Sequence, residues 1–110
     1  MGKLQFEGLV KADFDDRTLA HLQFVIGQKL QRGETFFFSW RDDSSIGDGR
    51  STIWLHPGSV LYFKFYGSRT PPLNRAWIEA LMYTANSARG LYVVPEPAAA
   101  HSEKVSLEAH

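Results

Sequence analysis

Three runs of sequence decide the fold: ETFFFSWR at 34–41, RSTIWLH at 50–56 and VLYFKFY at 60–66. Each alternates in character with a period of two, which is a strand pattern and not a helical one. Side chains on a strand point alternately to its two faces, so the three runs sort into two sets. Phe36, Phe38, Trp40, Ile53, Leu55, Leu61, Phe63 and Phe65 are all large and apolar, and they mark the face that helices cover. Phe37, Ser39, Arg41, Arg50, Thr52, Trp54, His56, Tyr62, Lys64 and Tyr66 make the other face, which mixes rings with cations and hydroxyls. A polar loop from Asp42 to Gly49 and a Pro57-Gly58 turn join the runs. Short connections and strong alternation predict an antiparallel meander.

The segments on either side supply two helices and two further strands. Residues 3–7 alternate as a short strand, and Gly8 marks a turn or bulge. Asp13, Asp15 and Asp16 stand where a helix over 16–32 begins, able to accept from its free N–H groups. Leu19, Leu22, Ile26 and Leu30 form its apolar stripe, and Phe24 points away from them. Lys29 and Arg32 suit its C-terminal turn, and Gly33 suits the left-handed position beyond it. A second helix is expected over 71–89, capped by Thr70 and ended by Gly90, with Leu73, Trp77 and Leu81 inward and Arg75 paired to Glu79 outward. A last strand spans 91–94 before Pro95-Glu96-Pro97 stops it. The fold class is therefore α+β, in the order β-α-β-β-β-α-β: an antiparallel meander with two α-helices packed on one face. Residues 1–97 form the domain, and 98–110 read as a polar, flexible tail.

Composition bounds the function. A chain of 110 residues, 44% of them hydrophobic, builds one core without needing disulfides or metals. It has no Cys, which excludes disulfide frameworks, Cys-ligated zinc and Cys nucleophiles. No apolar run reaches the ~18 residues of a membrane span, and no apolar stretch follows the basic residue near the N-terminus, so no membrane partner is expected and the chain reads as cytoplasmic. Formal net charge is zero but unevenly spread: net −2 over 1–49, +4 over 50–94 and −2 over 95–110. A locally basic middle suits an anion without the strong basicity of a dedicated nucleic-acid binder.

Motifs for chemistry are few. His56 has no nucleophile and acid arranged around it in the pattern: Ser39 shares its face but Ser51 does not, and no Gly-x-Ser-x-Gly elbow exists. No His pair has metal-ligand spacing, and no phosphate loop or dinucleotide fingerprint occurs, so no metal and no cofactor are expected. The stretch from Asp42 to Gly49 lacks the alternating acids and late Glu of a calcium loop. Arg50 and Arg75 offer an anion two cations at one end of the sheet, which is the basis for a remote enzymatic alternative acting on a nucleotide or other anion.

Several strings carry a family likeness: MGKL at 1–4, FDDRTLAHL at 14–22, FSW at 38–40, GRSTIWLHP at 49–57, LNRAWIEAL at 73–81, ANS at 85–87 and PEP at 95–97. Together they resemble a family of roughly hundred-residue actinobacterial proteins of unknown function, over about residues 1–97. Some members carry the label "ATP-dependent DNA ligase". Lys11-Ala12-Asp13-Phe14 is similar to the Lys-x-Asp-Gly of covalent nucleotidyltransferases but lacks the Gly, and this chain is too short for that catalytic domain and its usual partner. The residues of this chain give the ligase label no support, so the resemblance carries over no catalytic residue and at most a link of its members to DNA.

Two functions follow as expectations. The first is a non-enzymatic interaction module that forms a homodimer through the mixed face (Phe37, Arg41, Arg50, Trp54, His56, Tyr62, Lys64, Tyr66) or through Phe24 on the first helix. The second is a nucleic-acid-associated protein in which the same rings stack on bases while Arg41, Arg50 and Lys64 meet phosphates.

Overall fold

The computed structural model describes residues 2–42 and 49–98. The six strands are β1 (Gly2–Phe6), β2 (Val10–Phe14), β3 (Phe36–Arg41), β4 (Arg50–Leu55), β5 (Leu61–Lys64) and β6 (Leu91–Tyr92). The helices are α1 (Asp16–Gln31), after β2, and α2 (Arg75–Ala85), after β5. The class is α+β and the expected order of elements holds, with a β-hairpin standing where one N-terminal strand is predicted. The tail beyond residue 98 and most of the Asp42–Gly49 loop lie outside the described residues.

The single meander is corrected. The strands form two three-stranded sheets, β2-β1-β5 and β4-β3-β6. β3 and β4 pair as an antiparallel hairpin, but β5 leaves them and pairs antiparallel with β1, Leu4 opposite Phe63 and Phe6 opposite Leu61. The turn at Pro57-Gly58 is closed by Ser59 N–H on the His56 carbonyl, and the next ladder bond runs from Glu7 N–H to the Val60 carbonyl. Alternation fixes which face a residue takes but not which strand it pairs with. The apolar partner for Leu61 and Phe63 is β1, whose Leu4 and Phe6 are fully buried.

The first hairpin turns on Glu7 and Gly8, both at positive φ, with Leu9 N–H bonded to the Phe6 carbonyl. β2 returns with Lys11 and Asp13 outward and Ala12 buried. At the start of α1, the Asp15 side chain accepts from Thr18 N–H and Oγ. At its end Gly33 takes φ 75°.

α2 is shorter than predicted. Pro71 and Pro72 hold the chain extended, because the residue before a proline is pushed out of the helical region. The cap is Asn74, whose Oδ1 accepts from Ala76 N–H. Leu73 lies before the helix and is exposed. β6 keeps two of the four predicted residues and pairs parallel with β3, Phe38 opposite Leu91 and Ser39 opposite Tyr92.

The packing differs too: α1 rests on β1 and β2, α2 on β3 and β6, and the helices on each other. They share one core instead of one face of one sheet. That core joins the sheets through rings, with Phe6 stacked on Trp40 at 5.2 Å and Phe14 tilted against Phe38 at 6.2 Å. The whole predicted inward set is buried or packed against it.

A polar network ties the end of the domain to both helices. Arg17 grips both Glu96 carboxylate oxygens, at 2.8 and 2.6 Å, and donates to the Pro72 carbonyl. Asn74 Nδ2 donates to Glu96 Oε2 and to the Pro97 carbonyl. Trp77 Nε1 donates to the Val94 carbonyl. His21, completely buried, donates from Nδ1 to the Arg17 carbonyl and accepts at Nε2 from Asn74 N–H, each at 2.7 Å.

Candidate functional site

The residues predicted to share one mixed face fall on two sheets, because β5 left the meander. Phe37, Arg41, Arg50 and Trp54 stand on the outer face of β4-β3-β6. Tyr62 and Lys64 stand on the outer face of β2-β1-β5, opposite Gln5 and Lys3. Tyr66 lies beyond β5, where the Asp16 carboxylate accepts from the backbone N–H groups of Tyr66 and Gly67. The Gly67 bond is the main cause that lowers the Asp16 pKa. His56 follows β4 in the turn, and its Nδ1 accepts from Gly58 N–H at 3.1 Å. Its ring is therefore part of turn chemistry. Phe24 projects from α1, 39% exposed, away from all of these.

The outer face of β4-β3-β6 is where rings and cations converge. Phe37 and Trp54 are cross-strand partners, 44% and 48% exposed, and meet edge to face at 4.8 Å. Next along the strands, Ser39 Oγ and Thr52 Oγ1 share a hydrogen bond at 2.8 Å. Next again, Arg41 stands directly opposite Arg50. Like charges in that position repel, at a cost of up to ~1 kcal/mol.

A wall closes one side of this face. After α2 the chain turns through 86–90 and enters β6. Gly90 sits at φ 86°, and a Cβ there would overlap the Phe37 carbonyl and lie 2.8 Å from Phe37 Cβ. Only glycine lets the turn press so close to β3. Thr84 Oγ1 accepts from Tyr92 N–H and anchors the strand behind it. Arg89, the residue before Gly90, extends from this wall with its guanidinium 5.3 Å from the centre of the Tyr92 ring.

Between the wall and β4 runs an open furrow with Phe37 and Ser39 as its floor. Its central section, about 650 Å³, lies among Phe37, Ser39, Arg50, Thr52, Ala88 and Arg89. At the Arg41 end it widens to about 900 Å³, where Asp13 and Asp15 stand among the lining residues. At the other end it narrows beside Trp54, Asn86 and Ser87. Among the described residues, Arg41, Arg50 and Arg89 make no ion pair, whereas Arg17, Lys29 and Arg75 do.

Arg89 is the member that sequence reasoning leaves out of the site. Its signal was its place just before a helix-ending glycine, which fixes nothing about the sheet it faces. Arg75, the other cation of the remote enzymatic alternative, lies in the first turn of α2 paired with Glu79 at 3.4 Å and does not line the furrow. Among the described residues no three His, Asp or Glu side chains stand together to hold a metal ion. No helix among them is long and apolar enough to cross a membrane.

A family model matches residues 1–96, nearly the whole described domain. The chain belongs to the family described as Domain of unknown function (DUF7882). The match takes in the furrow, its wall and the Arg17–Glu96 clasp. No curated protein and no solved structure matches the chain.

Proposed function

We propose that this DUF7882 protein is a non-enzymatic binding module whose working surface is the furrow on β4-β3-β6, and that single-stranded nucleic acid lies on it. The observation that carries this reading is the Arg41–Arg50 pair beside the exposed Phe37–Trp54 rings, with Arg89 facing them from the wall. Unpaired bases stack on such rings whatever their sequence, and guanidinium groups meet the phosphates between them. A homodimer formed through this same face would set three arginines against three across its two-fold axis. Charge complementarity therefore favours an anionic occupant over a second copy. The link to DNA implied by the resemblance points the same way, in the cytoplasm of an actinobacterium and in a family of about hundred-residue proteins.

The test is fluorescence anisotropy with a labelled, unphosphorylated 15-mer, single- and double-stranded, at 50 and 200 mM salt. Single strands should bind more tightly. Three phosphate contacts predict a loss of about 20-fold in affinity across that salt range. Absence of binding, with sedimentation showing a dimer, would replace this reading by self-association. Absence of binding by a monomer would refute it outright.

A further inference from the structure

Resting on that reading, we propose that the central section of the furrow is a site for one phosphate group, held between Arg50 and Arg89 over the Ser39–Thr52 hydroxyls. A planar ring attached to that phosphate stacks on Phe37 and Trp54. The ligand class is thus a phosphate ester carrying an aromatic base, whether a free nucleotide or one link of a polynucleotide.

Four observations converge on this section. Arg50 and Arg89 line it from opposite sides, one from β4 and one from the turn after α2. A guanidinium offers five donors and no acceptor, so two of them suit an oxyanion with several oxygens and leave little for a neutral ligand. The two hydroxyls carry two protons between them, and their mutual bond uses one. The second O–H is left to donate outward, as a phosphate requires. Among the described residues no carboxylate lines this section, while Asp13 and Asp15 line the wider end, so a phosphate is favoured most at the centre. Finally, the exposed ring pair begins one strand pair away, on the side opposite Arg41, which sets where the base must lie.

The geometry is also held in advance. Arg89 rests on the Tyr92 ring, Tyr92 is bonded to Thr84 inside the core, and Gly90 locks the turn against β3. A guanidinium already placed loses less freedom on binding than a free side chain.

The experiment titrates the ¹⁵N-labelled protein with inorganic phosphate, with adenosine monophosphate and with adenosine, and follows backbone amide and arginine Nε–H signals. Adenosine monophosphate should give saturable shifts centred on Ser39, Thr52 and Arg89 and reaching Phe37 and Trp54. Phosphate alone should move the first three. Adenosine alone should move only the ring residues. Arg89→Gln and Thr52→Val should each weaken the nucleotide at least 10-fold while retaining the wild-type dispersion of signals, and Arg75→Gln, outside the furrow, should leave it within 2-fold. Shifts scattered over surface lysines, or nucleotide affinity unchanged in both variants, would overturn the site. If the 15-mer binds and the nucleotide does not, the phosphate site falls and the nucleic-acid reading stands. If the nucleotide saturates the site and the 15-mer does not bind, the reverse holds and a free nucleotide is the ligand.

Discussion

Replacing His21 by leucine removes a bridge between the two helices without leaving a large hole. The imidazole is wholly buried, 4.5 Å from the Trp77 ring centre, and it is the partner of the Asn74 N–H. Leucine has similar bulk but no acceptor. A buried N–H left without a partner costs about 1–3 kcal/mol, and the lost bond to the Arg17 carbonyl adds about 1. The expected destabilisation is therefore ~2–4 kcal/mol, or a fall in Tm of about 10–20 °C for a domain of this size. His21→Gln places an amide oxygen within reach of the same N–H and should recover part of the loss. The assay is urea and thermal unfolding by circular dichroism at pH 7.5 and 5.5. Burial pushes the His21 pKa below its ordinary 6.5, outweighing the opposite pull of the Arg17 carbonyl, Glu96 and Asp15. The unfolded chain then binds the extra proton first, so stability is full above pH ~6.5 and declines as pH falls below it. Protonation would also place an N–H at Nε2 against the Asn74 N–H. The leucine variant should lack this part of the pH slope. A leucine variant as stable as the wild type at pH 7.5, or one with an unchanged slope between pH 7.5 and 5.5, would refute the reasoning.

The Arg17 fork, and after it the Asn74 amide, hold Glu96 down to about 2, so its contribution is present above pH 4.5 and is lost as pH falls through 2. With about a third of its side chain exposed, Glu96→Gln should cost only ~1 kcal/mol at pH 7 and progressively less as pH falls toward 2, as read from paired melts. Gly90→Ala should cost at least ~2 kcal/mol, from its positive φ and its overlap with the Phe37 carbonyl, and should shift the amide signals of Phe37 and Leu91. Arg50→Thr should raise stability by a few tenths of a kcal/mol in urea, because it ends the repulsion with Arg41, and should weaken the 15-mer in the anisotropy assay.

Period and punctuation carried most of the fold at the level of the sequence. The Leu19–Ile26 stripe and Gly33 are local signals that the structure places as read, whereas of the three acids only Asp15 caps α1: Asp13 lies in β2, and Asp16 accepts from Tyr66 and Gly67. β2 also carries a signal, since Val10 to Phe14 alternates, but Asp13, Asp15 and Asp16 crowd its end and mask it with a helix-start pattern. The parting of β5 from β4 had no local signal. It depends on Leu4 and Phe6 presenting a better apolar partner than an edge of β4 does, which is a property of the assembled core. The start of α2 has the same kind of origin. Thr70 and Asn74 are both good caps, and the choice falls to Asn74 because His21 and Glu96, 53 and 22 residues away in sequence, take its other groups. The same division applies to the site. The outward placement of Phe37, Arg41, Arg50 and Trp54 followed from alternation alone. Their separation from Tyr62 and Lys64, and the arrival of Arg89, followed from pairings between distant segments.

Stability and binding pull apart on this face. The core needs none of the residues that line the centre of the furrow: Phe37 and Trp54 are half exposed, and Arg50 and Arg89 pair with no carboxylate among the described residues. Three cations elsewhere do meet carboxylates, while on the other sheet Lys3 stands opposite Lys64 as a second like-charge pair. The buried Lys29 has both Glu34 and Asn86, and Arg17 has Glu96 and a carbonyl. Arg41 across from Arg50 is a like-charge pair, which by itself lowers stability. A surface selected only for folding would place an acid or a threonine at one of those positions, since either stabilises the ladder. An anion held against Arg50 and Arg89 supplies the counter-charge that the Arg41–Arg50 pair lacks in the free protein. Ligand and fold are therefore coupled, and binding should raise Tm in the wild type by more than in Arg50→Thr. A ligand that raised both equally would have to sit elsewhere on the molecule, and the two arginines would be left with a cost and no role.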